Sequence, residues 1–265
     1  MEHHLNHYHN YMHSLYGGAV RITKTHSGVR YKIEVEGKKM LKVPSVTGVL
    51  GVIAKPALIP WAVNLACDHL LEIGSGITAD DIETARKKHN VRKTDAGEIG
   101  SQVHAWVENF LKTGDKSIPE HPQVQNGIKA FLRWVKEYNV QFFSSERVVY
   151  SRKYNYVGTM DAEAIVGGKK CVIDFKTSSG IHPEMFLQTA AYQYAAMEEG
   201  TTYNGDRYIV RFAKIDEVDK KTGEILLPAG MFQVKKCGAF KKDLKGFFAA
   251  LQLKRRLEEI NDYKT

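Results

Sequence analysis

The sequence predicts an α/β (α+β) fold, with a central mixed sheet flanked by helices and a helical insertion near the N-terminus. Three observations predict it. Apolar residues recur at helical spacing through most of the first 140 residues, short alternating β runs begin at Phe142, and a helix separates those runs from later strands. With no repeat and no long linker, residues 17–265 are expected to form one domain, of which about 40–140 is a mainly helical arch or insertion and 141–265 the core. Residues 1–16, which begin with a histidine-rich run, read as a disordered tail.

Residues 18–22 and 29–35 predict a hairpin around Ser27-Gly28. Pro44-Ser45-Val46-Thr47 leads into the apolar stretch 49–71, where Pro56 and Pro60 suit a loop and the first turn of a helix through Trp61, Leu65 and Leu70. Thr78-Ala79-Asp80-Asp81 opens a helix expected to end near His89-Asn90. A further helix over 97–111 carries Val103, Trp106, Val107 and Phe110, with Gly114 as its stop, and another covers 123–138. Three β runs follow at 142–150, 158–166 and 169–177, the last two joined by the Gly167-Gly168 turn. A helix over 184–198, strands at 208–213 and 231–234, and a helix over 240–260 complete the chain.

Hydrophobic residues make up 43% and charged residues 26% of the 265, which is enough apolar content for a core without disulfides. Lys and Arg total 38 against 30 Asp and Glu, a balance of +8 that favours polyanionic partners. The three cysteines, Cys67, Cys171 and Cys237, form no CxxC pair, so no zinc ribbon or iron–sulfur cluster is expected and a reducing compartment is the natural setting. The absence of a long apolar run or a signal peptide predicts a cytoplasmic protein with no membrane partner.

Pairing outward from Gly167-Gly168 sets Val166 against Lys169, Ala164 against Cys171 and Asp161 against Asp174. Alternation then gathers Asp161, Glu163, Val172, Asp174 and Lys176 on one face, and Met160, Ala162, Ala164, Cys171, Ile173 and Phe175 on an apolar face. Opposed aspartates repel, and a cation between them removes the repulsion; carboxylate oxygens with water suit Mg²⁺ or Mn²⁺. Spacing alone also allows a solvated face with a cross-strand salt network, because one bulge shifts the register.

The surroundings add a resemblance. Tyr156-Val157-Gly158-Thr159-Met160-Asp161, Val172-Ile173-Asp174-Phe175-Lys176-Thr177-Ser178 and Gln188-Thr189-Ala190-Ala191-Tyr192 follow one another, preceded by Gly100-Ser101-Gln102-Val103-His104. In that order they resemble the RecB-like and Cas4-like branch of the PD-(D/E)XK nuclease superfamily, whose fold is restriction-endonuclease-like. Within it, Pro44-Ser45-Val46-Thr47 with Ala54-Lys55-Pro56-Ala57-Leu58 is similar to the mitochondrial genome maintenance exonucleases and their phage relatives.

The resemblance implies roles residue by residue. Asp161 and Asp174 would be metal-binding carboxylates, Lys176 the catalytic lysine, His104 a further ligand and Phe175 a ligand through its carbonyl. Gln188 and Tyr192, at i and i+4, would reach the DNA backbone or the site's edge. Glu146, Glu163 and Glu108 are further candidates. Each has a plainer reading: His104 as a helix residue bonded to Glu108 or a carbonyl, Gln188 and Tyr192 as packing residues, the glutamates as surface charge.

Together these lead to a Mg²⁺- or Mn²⁺-dependent DNA exonuclease acting on single strands, flaps or ends in replication, recombination or repair, in a bacterial or phage-infected cell and with replication or recombination proteins as partners. A structure-specific endonuclease on the same core and a non-catalytic DNA-binding module are the alternatives. Basic groups at Arg86-Lys87-Lys88, Arg92-Lys93, Lys235-Lys236, Lys241-Lys242, Lys245 and Lys254-Arg255-Arg256, with Trp61, Trp106, Phe232, Phe240 and Phe247 nearby, suit a single strand. They equally suit solvated helix faces. No P-loop pattern is present, so the chain carries no motor of its own.

Overall fold

A computed structural model describes residues 12–24, 31–40, 43–219 and 221–262. A four-stranded antiparallel sheet comes first: β1 (Met12–Leu15), β2 (Val20–Lys24), β3 (Tyr31–Val35) and β4 (Lys38–Met40), in that order. The paired arms of the expected hairpin are β2 and β3, joined from Val20↔Val35 to Lys24↔Tyr31; its Ser27-Gly28 turn and residues 1–11 of the tail lie outside the described residues. Met12–Leu15, placed by sequence in the tail, instead pairs with β2.

Helices α1 (Val46–Leu50), α2 (Leu58–Ile73), α3 (Ala79–Thr113) and α4 (Pro122–Glu137) form the helical region. Thr78 caps α3 through a reciprocal pairing with Asp81, and Gly114 ends it in the left-handed conformation (φ 75°). The two helices expected between these points are one helix of 35 residues. Nothing between His89 and Gly97 can stop it: there is no proline, and a single Gly97 costs only about 1 kcal/mol against cheap propagation.

The central sheet has the order β11-β8-β7-β6-β5, built from β5 (Gln141–Ser151), β6 (Tyr156–Val166), β7 (Lys169–Lys176), β8 (Arg207–Phe212) and β11 (Phe232–Cys237). All neighbours are antiparallel except β7 and β8, which are parallel and linked through α5 (Pro183–Glu198). A small hairpin, β9 (Glu217–Val218) with β10 (Ile225–Leu227), and α6 (Phe240–Asp262) complete the chain. Gly167 and Gly168 both have positive φ, 56° and 73°, as a two-residue hairpin turn requires. This turn fixes the predicted register from Val166↔Lys169 through Ala164↔Cys171.

Apolar residues pack on both sides of this sheet. Ala162, Ala164, Cys171, Ile173 and Phe175 meet Val103, Trp106, Ile128, Phe131 and Trp134 of α3 and α4. Val148 and Val157 continue that side onto the N-terminal sheet. Tyr156, Met160 and Val172 pack against α1, α5 and α6 on the other. No helix among the described residues is long and apolar enough to cross a membrane.

Candidate active site

The predicted alternation fails at one place, and the candidate site forms there. Met160 was expected beside Ala162 and Ala164 but packs with Val172 on the opposite side. Strand β6 therefore changes face between Met160 and Ala162, at Asp161. Across from it in β5, Ser145↔Ala162 and Arg147↔Met160 are paired, yet Glu146 and Asp161 between them are not. Glu146 has φ +50°, a left-handed backbone unusual for a residue with a side chain. The same break ends the β6–β7 pairing at Ala162↔Ile173, short of the predicted Asp161–Asp174 pair. Asp161 turns its carboxylate back into the ladder instead, accepting from the Phe175 amide at 2.7 Å.

Helix α3 packs over the break in these strands and lines the cavity there. Gly100 lets it approach, since a Cβ there would lie 2.7 Å from Thr177 Oγ1. One turn further, His104 Nδ1 reaches 3.7 Å from Asp161 Oδ1. Ligand atoms of His104, Glu146 and Asp161 lie within 4.8 Å of one another, close enough to share a metal ion. Asp174 sits beside this trio, with Lys176 Nζ 2.5 Å from its Oδ2. That contact is an ion pair lacking hydrogen-bond alignment, so both Asp174 oxygens are buried without an aligned donor. A cavity of about 510 Å³ opens over the cluster, lined by Lys24, Ser101, His104, Glu108, Glu146 and Thr177.

Burial shapes the charges. It raises the carboxyl pKa of Asp174 to about 6, with Asp161 adding to the rise and Lys176 opposing it. It also raises Asp161 and Glu146, which repel each other. Burial pulls Lys176 down, but Asp174 and Asp161 more than compensate, so its amine stays protonated. His104 is pushed down by burial and by Lys176, which keeps its imidazole neutral and able to bind a metal. Neutral imidazole, several carboxylates short of counter-charge and orphaned acceptors form a donor set that fits a divalent cation.

The other predicted residues fall in different places. Tyr192 is buried against Gly158, where a Cβ would come 2.5 Å from its ring, and its hydroxyl accepts from Gln188 Nε2 at 2.9 Å. Val46, from the upstream proline–serine–valine–threonine run, closes on the same glycine. Glu108 is at the cavity rim, paired with Lys112. Glu163 does not join the cluster: beyond the change of face, its buried carboxylate accepts two bonds from Arg147 at 3.1 Å and one from Tyr203 at 2.5 Å. Phe175 is brought in through its amide, while its ring packs in the core.

Sequence reasoning missed Lys24, whose Nζ lies 3.3 Å from Glu146 Oε2. It comes from the small sheet, and no pattern in the sequence ties β2 to β5.

The chain matches no protein-family model. Over 111 residues it is 32% identical to Mitochondrial genome maintenance exonuclease 1 of Xenopus tropicalis, a stretch covering 40% of this chain and 32% of that protein. The match thus spans about a third of that relative's length. Among solved structures, the alkaline exonuclease LHK-Exo from Laribacter hongkongensis overlaps 83% of this chain and 93% of its own, at 12% identity and a TM-score of 0.35. Its complex with dAMP overlaps 77% and 96%, at 12% identity and a TM-score of 0.29. Overlaps this loose carry no functional weight.

Proposed function

We propose that the chain is a divalent-metal-dependent DNA exonuclease of the RecB-like and Cas4-like branch of the PD-(D/E)XK superfamily, acting on single strands, flaps or ends. The observation that carries this is the break in β5 and β6, which turns Glu146 and Asp161 toward His104 beside a buried Asp174–Lys176 pair. A purely structural role explains such a concentration poorly, because Glu146, Asp161 and Asp174 gather around only two ammonium groups, Lys24 and Lys176, and buried carboxylates in excess of their counter-charge destabilise a fold. The partial identity to a protein named as an exonuclease supports the reading.

His104, Glu146 and Asp161 would hold the ion, with Asp174 and the Phe175 carbonyl adjoining. Bound there, Mg²⁺ or Mn²⁺ supplies Lewis acidity toward phosphate oxygens and makes nearby water more acidic. Lys176 stays protonated between Asp174 and Asp161. It presents N–H donors to the attacking water and to the charge that grows on the phosphate oxygens. Water attacks phosphorus in line and gives up a proton to bulk solvent, and the P–O ester bond opposite it breaks, the leaving oxygen taking up a proton from solvent. Gln188 donates to the Tyr192 hydroxyl, and because that tyrosine is buried against Gly158 of the strand that carries Asp161, the pair would position the strand rather than touch DNA. A role in replication, recombination or repair follows from such a substrate.

The test is cleavage of end-labelled linear single strands, duplexes, flaps and covalently closed circles, with Mg²⁺, Mn²⁺ or EDTA. Degradation of linear strands that spares circles, stops in EDTA and vanishes in Asp161→Asn is expected. Cutting of circles would replace the exonuclease with an endonuclease. Tight DNA binding with no cleavage of any substrate would leave a binding module.

A further inference from the structure

A second cavity, of about 600 Å³, adjoins the first, and both are lined by Ala96 and Thr177. Its apolar wall includes Trp61 of α2, Ile99 of α3 and Phe212 of β8, while Arg92 and Lys214 supply positive charge. Trp61 is 39% exposed, whereas Trp106 and Trp134 are at 7% and 0%. Lys214 Nζ donates to the Ala96 carbonyl at 3.3 Å, which holds the ammonium at the junction of the two cavities. No ion pair among the described residues involves it, and burial lowers its pKa. Of the two carboxylates in the lining, Glu217 is held by Arg211, leaving Asp95 against Arg92 and Lys214.

An amine without an acidic partner suits an anion, and a half-open indole beyond it suits a flat ring. Lining one cavity that adjoins the candidate phosphodiester site, the two offer what a phosphate and a base of a nucleic acid strand require. We propose that this cavity holds the nucleotide next to the scissile phosphate of a single DNA strand, its base on Trp61 and its phosphate on Lys214, with Arg92 outside. The proposal rests on the nuclease reading and extends it to a substrate-selecting subsite. A base within a duplex is stacked on both faces and has none to offer Trp61, so the strand must be unpaired at this position.

Trp61 reports on its own occupancy, since the other two tryptophans are shielded. A short oligothymidylate titrated in EDTA should quench the wild-type emission, and a blunt hairpin duplex should not. Anisotropy of a labelled strand should show roughly tenfold weaker binding for Trp61→Ala, with Trp61→Phe restoring most of it because a ring remains to stack on. Lys214→Ala should lower the slope of log affinity against log salt by about 0.7, the contribution of one phosphate contact on a single strand. Hydrolysis of bis(p-nitrophenyl) phosphate, which has no neighbouring nucleotide, should be unchanged in these variants. Strand binding and KM that are the same in Trp61→Ala and Lys214→Ala, with cleavage intact, would overturn the subsite alone. A wild type that neither binds nor cleaves any DNA would overturn the nuclease reading together with it.

Discussion

Gly100 sets how closely α3 approaches the end of β7, and an added methyl group tests that spacing. The Cβ of Gly100→Ala would stand 2.7 Å from Thr177 Oγ1, about 0.7 Å short of the 3.4 Å at which ordinary contact begins. Thr177 directly follows the strand that carries Asp174 and Lys176, which anchors its backbone, so the helix is the element expected to yield. His104 moves with it, and its present 3.7 Å distance to Asp161 widens. Metal sites tolerate displacements of about 0.2 Å in donor distance, so a shift of this size takes His104 out of the ligand set. Overpacking of this kind costs about 1–3 kcal/mol of stability, roughly 2–12 °C in Tm for a chain this long. A misplacement approaching 1 Å lowers turnover by about 100-fold. The assay is the rate of single-strand degradation with Mn²⁺, alongside thermal unfolding, for Gly100→Ala, Thr177→Ala and the double variant. Removing Oγ1 makes room for the new methyl, so the double variant should return to the level of Thr177→Ala alone. Wild-type activity in Gly100→Ala, or a folded double variant no better than the single one, would refute this geometry.

Three further outcomes follow from the same structure. Mn²⁺ at about 100 times its Kd should stabilise the protein by about 2.7 kcal/mol, seen as a Tm increase of roughly 5–11 °C that Asp161→Asn abolishes. In EDTA, stability should fall as pH rises from about 4 to about 6. The Asp174 carboxyl titrates near 3.9 when unfolded and at about 6 when folded, so the folded chain holds the extra proton in that window. The effect is at most about 3 kcal/mol, and Asp174→Asn should flatten the slope in pH-dependent melting curves. Glu163→Ala should separate structure from chemistry: Arg147 keeps Glu199 at 2.8 Å, so losing the buried carboxylate costs about 1–3 kcal/mol by denaturant titration, while activity per folded molecule stays within a few-fold of wild type.

Much of this arrangement was legible because it depends on local chemistry. The Gly167-Gly168 pair dictated a two-residue turn, and the turn dictated the register through Ala164 and Cys171. Thr78, Asp81 and Gly114 marked both ends of α3, though its continuity through Gly97 was missed because a weak helix former does not stop a helix held by packing at Ile99 and Val103. What stayed hidden depends on long-range pairing. The change of face at Asp161 needs the left-handed Glu146 of the neighbouring strand, and nothing around Glu146 in the sequence signals that conformation. For the same reason alternation grouped Glu163 with Asp161, although its carboxylate closes on Arg147. Lys24 lies 122 residues from the glutamate it meets, and only the folded chain brings them together.

In the proposed mechanism Lys176 acts on the phosphate beside a metal held by its neighbours. Its most direct test is the single-turnover cleavage rate of an end-labelled single strand for Lys176→Ala, with Mn²⁺ affinity measured on the same sample by thermal shift. The rate should fall by about 100- to 1,000-fold, the effect of losing one preorganised donor to developing charge, with Mn²⁺ still bound. A folded Lys176→Ala that binds Mn²⁺ and cleaves at the wild-type rate would contradict it.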